Sequence, residues 1–222
     1  MTRIGLLVAV AALAAGCGSS SAGHATVWVT RDRGAQVLHT ARVPAGLTAM
    51  QGLERVAKVS TRYGGRYVRA VDGLGEHGRA SWFYYVNGYL ADRGAAEYRL
   101  HDGDVEWWDY RKWSDPGQDP VVVGAFPEPF WHGYDGKRRP AVVVSVDRAL
   151  GRRLARLVHG RLVTTRPPGA NVLEVLRHAR PRLSAWLMRQ QPGAPVGFVL
   201  DAAFARRLLA EPALVRHRYV VR

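Results

Sequence analysis

The residues best suited to chemistry in this 222-residue chain are aromatic, and the chemistry they suit is stacking on a planar ligand. They are concentrated in residues 82–88 and 104–110, where the pattern predicts two strands. Each aromatic side chain can bury about 150–250 Å², so a bare set would form a sizeable binding patch. The stacking candidates are Trp82, Tyr84, Tyr85, Trp107, Trp108 and Tyr110, with Trp131 as a lid residue.

These aromatic side chains divide into two sets, because successive residues of a strand point to opposite faces. Trp82 and Tyr84 share one face, while Tyr85 lies on the other; Trp107 likewise opposes Trp108. One set must pack on a helix and form core. The other set is either interdomain packing or a ligand-binding face, and the sequence leaves both interpretations open.

Catalytic motifs are absent from the sequence. It contains no nucleophile elbow, zinc-protease motif, phosphate loop or dinucleotide fingerprint. The eight histidines are scattered. The run from His101 to Asp104 could imitate a metal loop, but a turn before a strand explains it better. We therefore expect no enzymatic activity, no metal site and no cofactor.

The elements that must position the aromatic residues form an α+β domain over residues 25–113. A hairpin over residues 25–43 is followed by a capping box at Thr48 and Gln51, which begins a predicted helix over residues 48–60. Further strands are predicted over residues 67–71, 81–86 and 104–110. The expected fold is β-grasp-like, with one helix on a mostly antiparallel sheet.

The motifs of this domain carry a resemblance to a known family. Trp82-x-Tyr84-Tyr85-Val86-Asn87-Gly88 is followed by Tyr98-x-Leu100-x-Asp102-Gly103-Asp104-x-x-x-Trp108-x-Tyr110. This pattern resembles a bacterial family of unknown function that is similar to the C-terminal domain of transcobalamin and intrinsic factor. The resemblance implies a β-grasp-like module. In the animal proteins that module covers one face of cobalamin, so the resemblance also implies cobalamin as a ligand. Those proteins bind with a preceding helical barrel, which this sequence lacks.

The rest of the chain predicts a linker and a smaller domain. Residues 114–140 are rich in Pro, Gly and aromatic residues, and we expect this linker to pack over the aromatic face of the first domain. In residues 141–222, predicted strands and helices alternate, which indicates a small α/β domain. One of its helices is expected over residues 172–180, with Asn171 as its cap.

The N-terminus is typical of an exported lipoprotein. An apolar run over residues 4–15 is too short to span a bilayer and predicts a signal peptide over residues 1–16. Small residues precede Cys17, as in a lipobox, and residues 17–24 form a tether. We expect membrane lipid attached to Cys17 to anchor the protein outside the cytoplasm. The alternative is an ordinary signal peptide with an incidental cysteine.

Positive charge is concentrated in the second half of the chain. Residues 119–222 contain 18 Arg and Lys against seven Asp and Glu, a net charge of +11, whereas residues 18–118 have a net charge of +2. A basic surface suits nucleic acid, anionic lipid or wall polymers. An exported lipoprotein rarely meets nucleic acid, so we expect no nucleic-acid partner.

Together these features favour a non-catalytic surface lipoprotein that binds a planar or corrinoid-like molecule of the cobalamin type. A membrane importer is the partner to which it would deliver this ligand. The alternative is an envelope interaction module whose aromatic face meets a protein or a wall polymer. A ligand site would be concave and enclosed, whereas an interaction face would be flat and open.

Overall fold

The computed structural model describes residues 23–113 and 119–222. The expected signal peptide, the lipid-modified Cys17 and most of the tether lie outside these ranges. The described chain has an α+β fold, as the sequence predicts, and its strands form three sheets. The β-grasp-like arrangement of the first domain stays a prediction. Within it, no helix has the length and apolar character needed to cross a membrane.

The first part of the chain, up to residue 113, contains eight strands and one helix. These elements are β1 (His24–Arg31), β2 (Gln36–Pro44), α1 (Ala49–Glu54), β3 (Val59–Arg62), β4 (Tyr67–Val71), β5 (Leu74–Gly75), β6 (Ala80–Val86), β7 (Tyr89–Leu90) and β8 (Val105–Lys112). The main sheet has the order β2-β1-β8-β6-β7, and β3-β4-β5 form a smaller sheet. Neighbouring strands are antiparallel except β1 and β8, which run parallel.

Helix α1 begins as predicted but is shorter than predicted. The Thr48 hydroxyl accepts from the Gln51 backbone N–H at 3.2 Å, and the Thr48 N–H donates to the Gln51 side chain at 2.9 Å. The helix ends at Glu54, and residues 59–62 form strand β3 instead of its last turn. Pairing with β4 satisfies the backbone of this stretch and suits its β-branched residues better than a helix does.

The second part of the chain, from residue 119 onward, contains five strands and three α-helices. These are α2 (Glu128–Trp131), β9 (Ala141–Ser145), α3 (Arg148–Leu157), β10 (Arg161–Val163), β11 (Asn171–Leu176), β12 (Leu183–Leu187), β13 (Val196–Asp201) and α4 (Ala202–Ala210). The sheet has the order β10-β9-β11-β13-β12. Only β12 runs antiparallel to its neighbour. Helices α3 and α4 contact each other and cover one face of the sheet.

The prediction of a helix over residues 172–180 is wrong. Strand β11 occupies the centre of the sheet between β9 and β13, and it includes Asn171. The Asn171 side chain does not cap a helix. Its amide donates to the Pro129 carbonyl at 3.0 Å, and its carbonyl accepts from the Val196 N–H at 3.1 Å. Long-range strand pairing therefore outweighs the local cap signal.

Residues 121–134 join the two parts of the chain. Val122 packs in a buried cluster with Tyr85 and Trp107, so the expected contact between this segment and the aromatic sheet is present. On the other side, the rings of Phe126 and Phe130 lie 5.5 and 5.3 Å from that of Phe198 in β13. The segment thus packs against both sheets at once. The predicted domain boundaries stay a prediction.

Candidate functional site

The structure brings six of the seven predicted stacking residues together on strands β6 and β8. The layer that faces α1 contains Trp82, Tyr84, Trp108 and Tyr110. Tyr84 and Trp108 are stacked, with ring centroids 4.8 Å apart and planes inclined by 20°. Trp108 is only 3% exposed. This layer is therefore the set of aromatic residues that packs with the helix in the core, as the sequence analysis predicts for one of the two sets.

The opposite layer is covered by the C-terminal end of the chain. Tyr85 and Trp107 have no exposed surface, and the Tyr219 ring lies 5.8 and 5.4 Å from theirs. The His217 ring lies 4.6 Å from that of Trp28 in the same cluster. A planar ligand could reach these rings only by displacing side chains of the protein itself. Their predicted role in ligand binding stays a prediction.

Trp131 lies apart from the aromatic sheet. Its ring stacks on His159 with a centroid distance of 5.3 Å, and its indole N–H donates to the Leu157 carbonyl at 2.7 Å. These contacts fix the end of α2 against the end of α3. In this arrangement Trp131 does not cover the other six candidates.

A concave site exists instead at one edge of the second sheet. Strands β9, β10, β11 and β13 are parallel, so their carboxyl ends meet at the same edge. A cavity of about 1050 Å³ lies where β11 and β13 end, and a second one of about 660 Å³ lies where β9 and β10 end. We call the first of these the arginine cavity, because its lining includes Arg180, Arg182, Arg207 and Arg222.

Three separate segments supply these arginines. Arg180 and Arg182 lie in the connection between β11 and β12, and Arg207 lies on the second turn of α4. Arg222 follows Val221 in the C-terminal segment. The end of the chain is held at the site because Val221 pairs with Leu183 at the start of β12. The cavity therefore depends on the folded arrangement of segments that are distant in sequence.

The arginine cavity has a positive charge that its own residues do not neutralise. Within residues 23–113 and 119–222, none of the four guanidinium groups makes a hydrogen bond or an ion pair. The one acidic side chain in the lining, Asp201, is already bound by backbone N–H groups. It accepts from Ala203 and Phe204 at 3.0 Å each and from Ala179 at 3.2 Å. The hydrogen bond from Phe204, followed by those from Ala179 and Ala203, lowers the pKa of Asp201.

The arginine cavity was not predicted from the sequence, although two signals pointed toward it. The net charge of +11 over residues 119–222 indicated a basic surface, and Arg180-Pro181-Arg182 places two cations in one short connection. The predicted helix over residues 172–180 obscured the site. With β11 mistaken for a helix, its carboxyl end could not be recognised as a sheet edge.

A family comparison covers the first part of the chain. Residues 46–112 match the family model of a domain of unknown function (DUF4430). The match confirms the family resemblance predicted from the aromatic motifs, and it contains all six stacking candidates of β6 and β8. The arginine cavity lies outside the matched residues.

Solved structures with similarity to the chain include haptocorrin in complex with Cbi and a "putative metal binding protein" from Ruminococcus gnavus ATCC 29149. Haptocorrin is 17% identical with a TM-score of 0.34, and the alignment covers 41% of this chain and 26% of that one. The Ruminococcus protein is 18% identical with a TM-score of 0.34, and the alignment covers 41% of this chain and 99% of that one. No curated protein matches the sequence.

Proposed function

We propose that the protein is a non-catalytic surface lipoprotein that binds a small molecule in the arginine cavity. The observation that carries this proposal is a cavity of about 1050 Å³ at the carboxyl edge of a parallel sheet. Small-ligand sites in proteins typically measure about 300–1000 Å³. In open α/β sheets, ligands bind outside the carboxyl ends of the strands.

The first part of the chain would serve as scaffold in this function. Its two aromatic layers already have contacts within the protein: one packs with α1, and Tyr219 covers part of the other. Tyr219 belongs to the C-terminal segment that ends at the arginine cavity. The first part of the chain thus supports the C-terminal segment from which Arg222 reaches the site.

The location of the protein is part of the same proposal. A lipobox-like sequence before Cys17 supports attachment to membrane lipid outside the cytoplasm. An anchored binding protein would hold its ligand close to the membrane, where an importer could accept it. A corrinoid remains one ligand to be tested, since the family resemblance implies it.

A blocked-cavity experiment tests the proposed function. The full mature chain, with Cys17→Ser, is titrated calorimetrically with cobinamide and three octyl compounds below their micellar concentrations. These are octyl phosphate, octyl glucoside and octyltrimethylammonium, which share a tail and differ in charge. Ala203→Trp fills the cavity from its exposed rim. Ala210→Trp, at an exposed position on the same helix outside the cavity lining, is the matched control.

The expected result is saturable binding of at least one of these compounds that is lost in Ala203→Trp and retained in Ala210→Trp. If none of the four compounds binds, the proposed function is wrong. If a compound binds equally well to wild type and Ala203→Trp, the site lies elsewhere and the cavity is not the binding site.

A further inference from the structure

We infer that the arginine cavity selects a phosphate ester with an apolar group, so that its ligand is an amphipathic anion. This inference rests on the proposed function, because it names the chemical class that the cavity would bind. It depends on three features of the cavity: its unpaired cations, its apolar wall and its hydrogen-bonded carboxylate.

The cations favour a ligand with negative charge, and among anions they favour phosphate over carboxylate. Four guanidinium groups line the cavity without hydrogen-bond or ion-pair partners among the described residues, and the His178 imidazole lines it as well. A guanidinium binds an anionic oxygen pair in a bidentate manner. One or two arginines suffice for the single charge of a carboxylate. A phosphate monoester carries about two negative charges and three terminal oxygens, and therefore suits several arginines.

The arrangement of the arginines supports binding of one anion from several sides. Arg180 and Arg182 approach from the connection after β11, Arg207 from α4, and Arg222 from the end of the chain. None of these side chains makes a hydrogen bond or an ion pair in the described part of the chain. An anion would therefore supply charge-assisted hydrogen bonds to guanidinium groups that have no such partner within the described residues.

The apolar residues of the lining favour a ligand that carries an apolar group. Phe204 is buried in the first turn of α4, and Pro181, Ala179 and Val220 line the same cavity. These residues offer an apolar surface beside the cations. A purely ionic ligand such as free phosphate would leave this wall exposed to water, so an attached apolar group adds binding energy by removing the wall from water.

The carboxylate in the lining does not oppose an anion as strongly as a free one would. Asp201 is the N-cap of α4, and backbone N–H groups of Ala179, Ala203 and Phe204 donate to it. These hydrogen bonds occupy its oxygens. In the described structure it pairs with none of the four arginines, so their charge stays available to a ligand.

A charge-selectivity experiment tests the inference. Octyl phosphate, octyl glucoside, octyltrimethylammonium and sodium octanoate are titrated into the full mature chain with Cys17→Ser. The double variant Arg207→Ala/Arg222→Ala removes cavity cations. Arg189→Ala/Arg177→Ala removes the same charge at two exposed positions outside the lining. Circular dichroism and thermal unfolding verify that every variant is folded.

We expect octyl phosphate to bind more tightly than the other three compounds. The affinity for octyl phosphate should fall by about tenfold or more in the cavity double variant, since each charge-assisted hydrogen bond contributes substantially. The control pair should leave its affinity within about twofold, because exposed surface substitutions have small effects. Raising the salt concentration should weaken binding to the wild type.

Two outcomes separate failure of the inference from failure of the proposed function. If octyl glucoside binds as tightly as octyl phosphate and Ala203→Trp blocks both, the cavity binds ligands but does not select anions, and only the inference is wrong. If no octyl compound and no cobinamide binds, both are wrong. If the two double variants lower the affinity for octyl phosphate equally, the inference is also wrong, because the loss of net charge alone would explain the lower affinity.

The source of the phosphate ester is distinguished by two further samples. Inorganic phosphate should compete with octyl phosphate if the arginines bind the phosphate group itself, and failure to compete at any concentration would contradict this assignment. Vesicles of phosphatidylcholine with and without phosphatidic acid, whose headgroup is a phosphate monoester, are then tested by flotation. Binding to the anionic vesicles that octyl phosphate reverses supports a lipid headgroup in the cavity. Reversal of octyl phosphate binding by soluble phosphate esters, with no flotation, supports a soluble ligand.

Discussion

The hydroxyl group of Tyr219 donates a 2.8 Å hydrogen bond to Oδ2 of Asp109. Asp109 lies in β8, the central strand of the first sheet, so this bond ties the C-terminal segment to the residues that match the family model. The other carboxylate oxygen accepts from the Thr30 hydroxyl at 2.6 Å and from the Gly34 N–H at 3.1 Å. Burial nevertheless raises the pKa of Asp109 above its usual range.

Removing the Tyr219 hydroxyl should destabilise the protein. Tyr219→Phe keeps the ring that covers Trp107 but leaves Oδ2 of the buried Asp109 without this donor. An unsatisfied buried acceptor costs about 1–3 kcal/mol, which urea unfolding at pH 7 can measure. Tyr63→Phe, at a residue that is 77% exposed, is the control and should change the free energy of unfolding by less than about 0.5 kcal/mol. Equal free energies for Tyr219→Phe and the wild type would contradict this account of the contact.

Glu106 should make the protein less stable as the pH rises. Burial raises the pKa of this fully buried carboxyl well above its usual range, although the Trp108 indole N–H donates to it at 2.5 Å. The unfolded chain releases the proton from pH of about 4.3 upward, whereas the folded chain retains it. The contribution to stability is therefore present at low pH and lost at higher pH, by about 1.4 kcal/mol per pH unit until the folded group ionises.

Glu106→Gln tests this dependence because it keeps the shape and cannot ionise. We expect the variant and the wild type to have similar free energies of unfolding at pH 4, and the variant to be more stable at pH 7. Chemical unfolding at both pH values measures the difference. Glu97→Gln, on an exposed turn, controls for loss of one acidic group. A difference between variant and wild type that does not change with pH would show that Glu106 is ionised in the folded protein.

His217 should destabilise the fold as the pH falls. Burial, followed by repulsion from Arg216 and Arg218, lowers the pKa of His217 to about 4. An unfolded histidine takes up a proton near pH 6.5. The unfolded state therefore binds the proton first, and stability is lost as the pH falls from about 6.5 to about 4.

An NMR titration of the His217 ring should give a midpoint near pH 4. His217→Phe keeps a ring against Trp28 and removes the titration, so it should lose less stability than the wild type between pH 7 and pH 5. A midpoint near 6.5 for His217 would contradict the burial of this ring beside two arginines.

Replacing Cys17 should release the protein from the membrane. We expect the wild type in the membrane fraction, with a lipid-sized mass increase on an N-terminal peptide that begins at Cys17. Cys17→Ala should lack the lipid-sized mass increase and should leave the membrane fraction. Fractionation with peptide mass spectrometry measures both. Wild-type protein without lipid, cleaved at another residue, would show that the cysteine is incidental.

Local sequence signals predicted much of the first part of the chain. The Thr48–Gln51 capping box marks the start of α1, and Asn87-Gly88 marks the turn between β6 and β7. These features depend on residues that are close in sequence. The end of α1 was not predictable in this way, because the pairing of Val59 with Val71 decides it.

The second part was less predictable because its decisive contacts are distant in sequence. Asn171 followed by apolar residues suits a capped helix locally, yet β9 and β13 on either side make it a strand. The alternation of side chains along a strand correctly predicted that Trp107 and Trp108 lie on opposite faces of the sheet. The position of Tyr219 over Trp107 depends on a segment more than a hundred positions away. The meeting of Arg182 with Arg222 at one cavity likewise joins residues that are forty positions apart.

The most direct test of the binding site is to locate a bound ligand by amide and indole NMR. Octyl phosphate is added to the isotope-labelled mature chain with Cys17→Ser. The account predicts saturable shifts of the amides of Ala179, Ala203 and Arg207, with unchanged indole signals of Trp82 and Trp108. Shifts of the two indole signals without shifts at the cavity amides would place the ligand on the aromatic sheet and contradict the account.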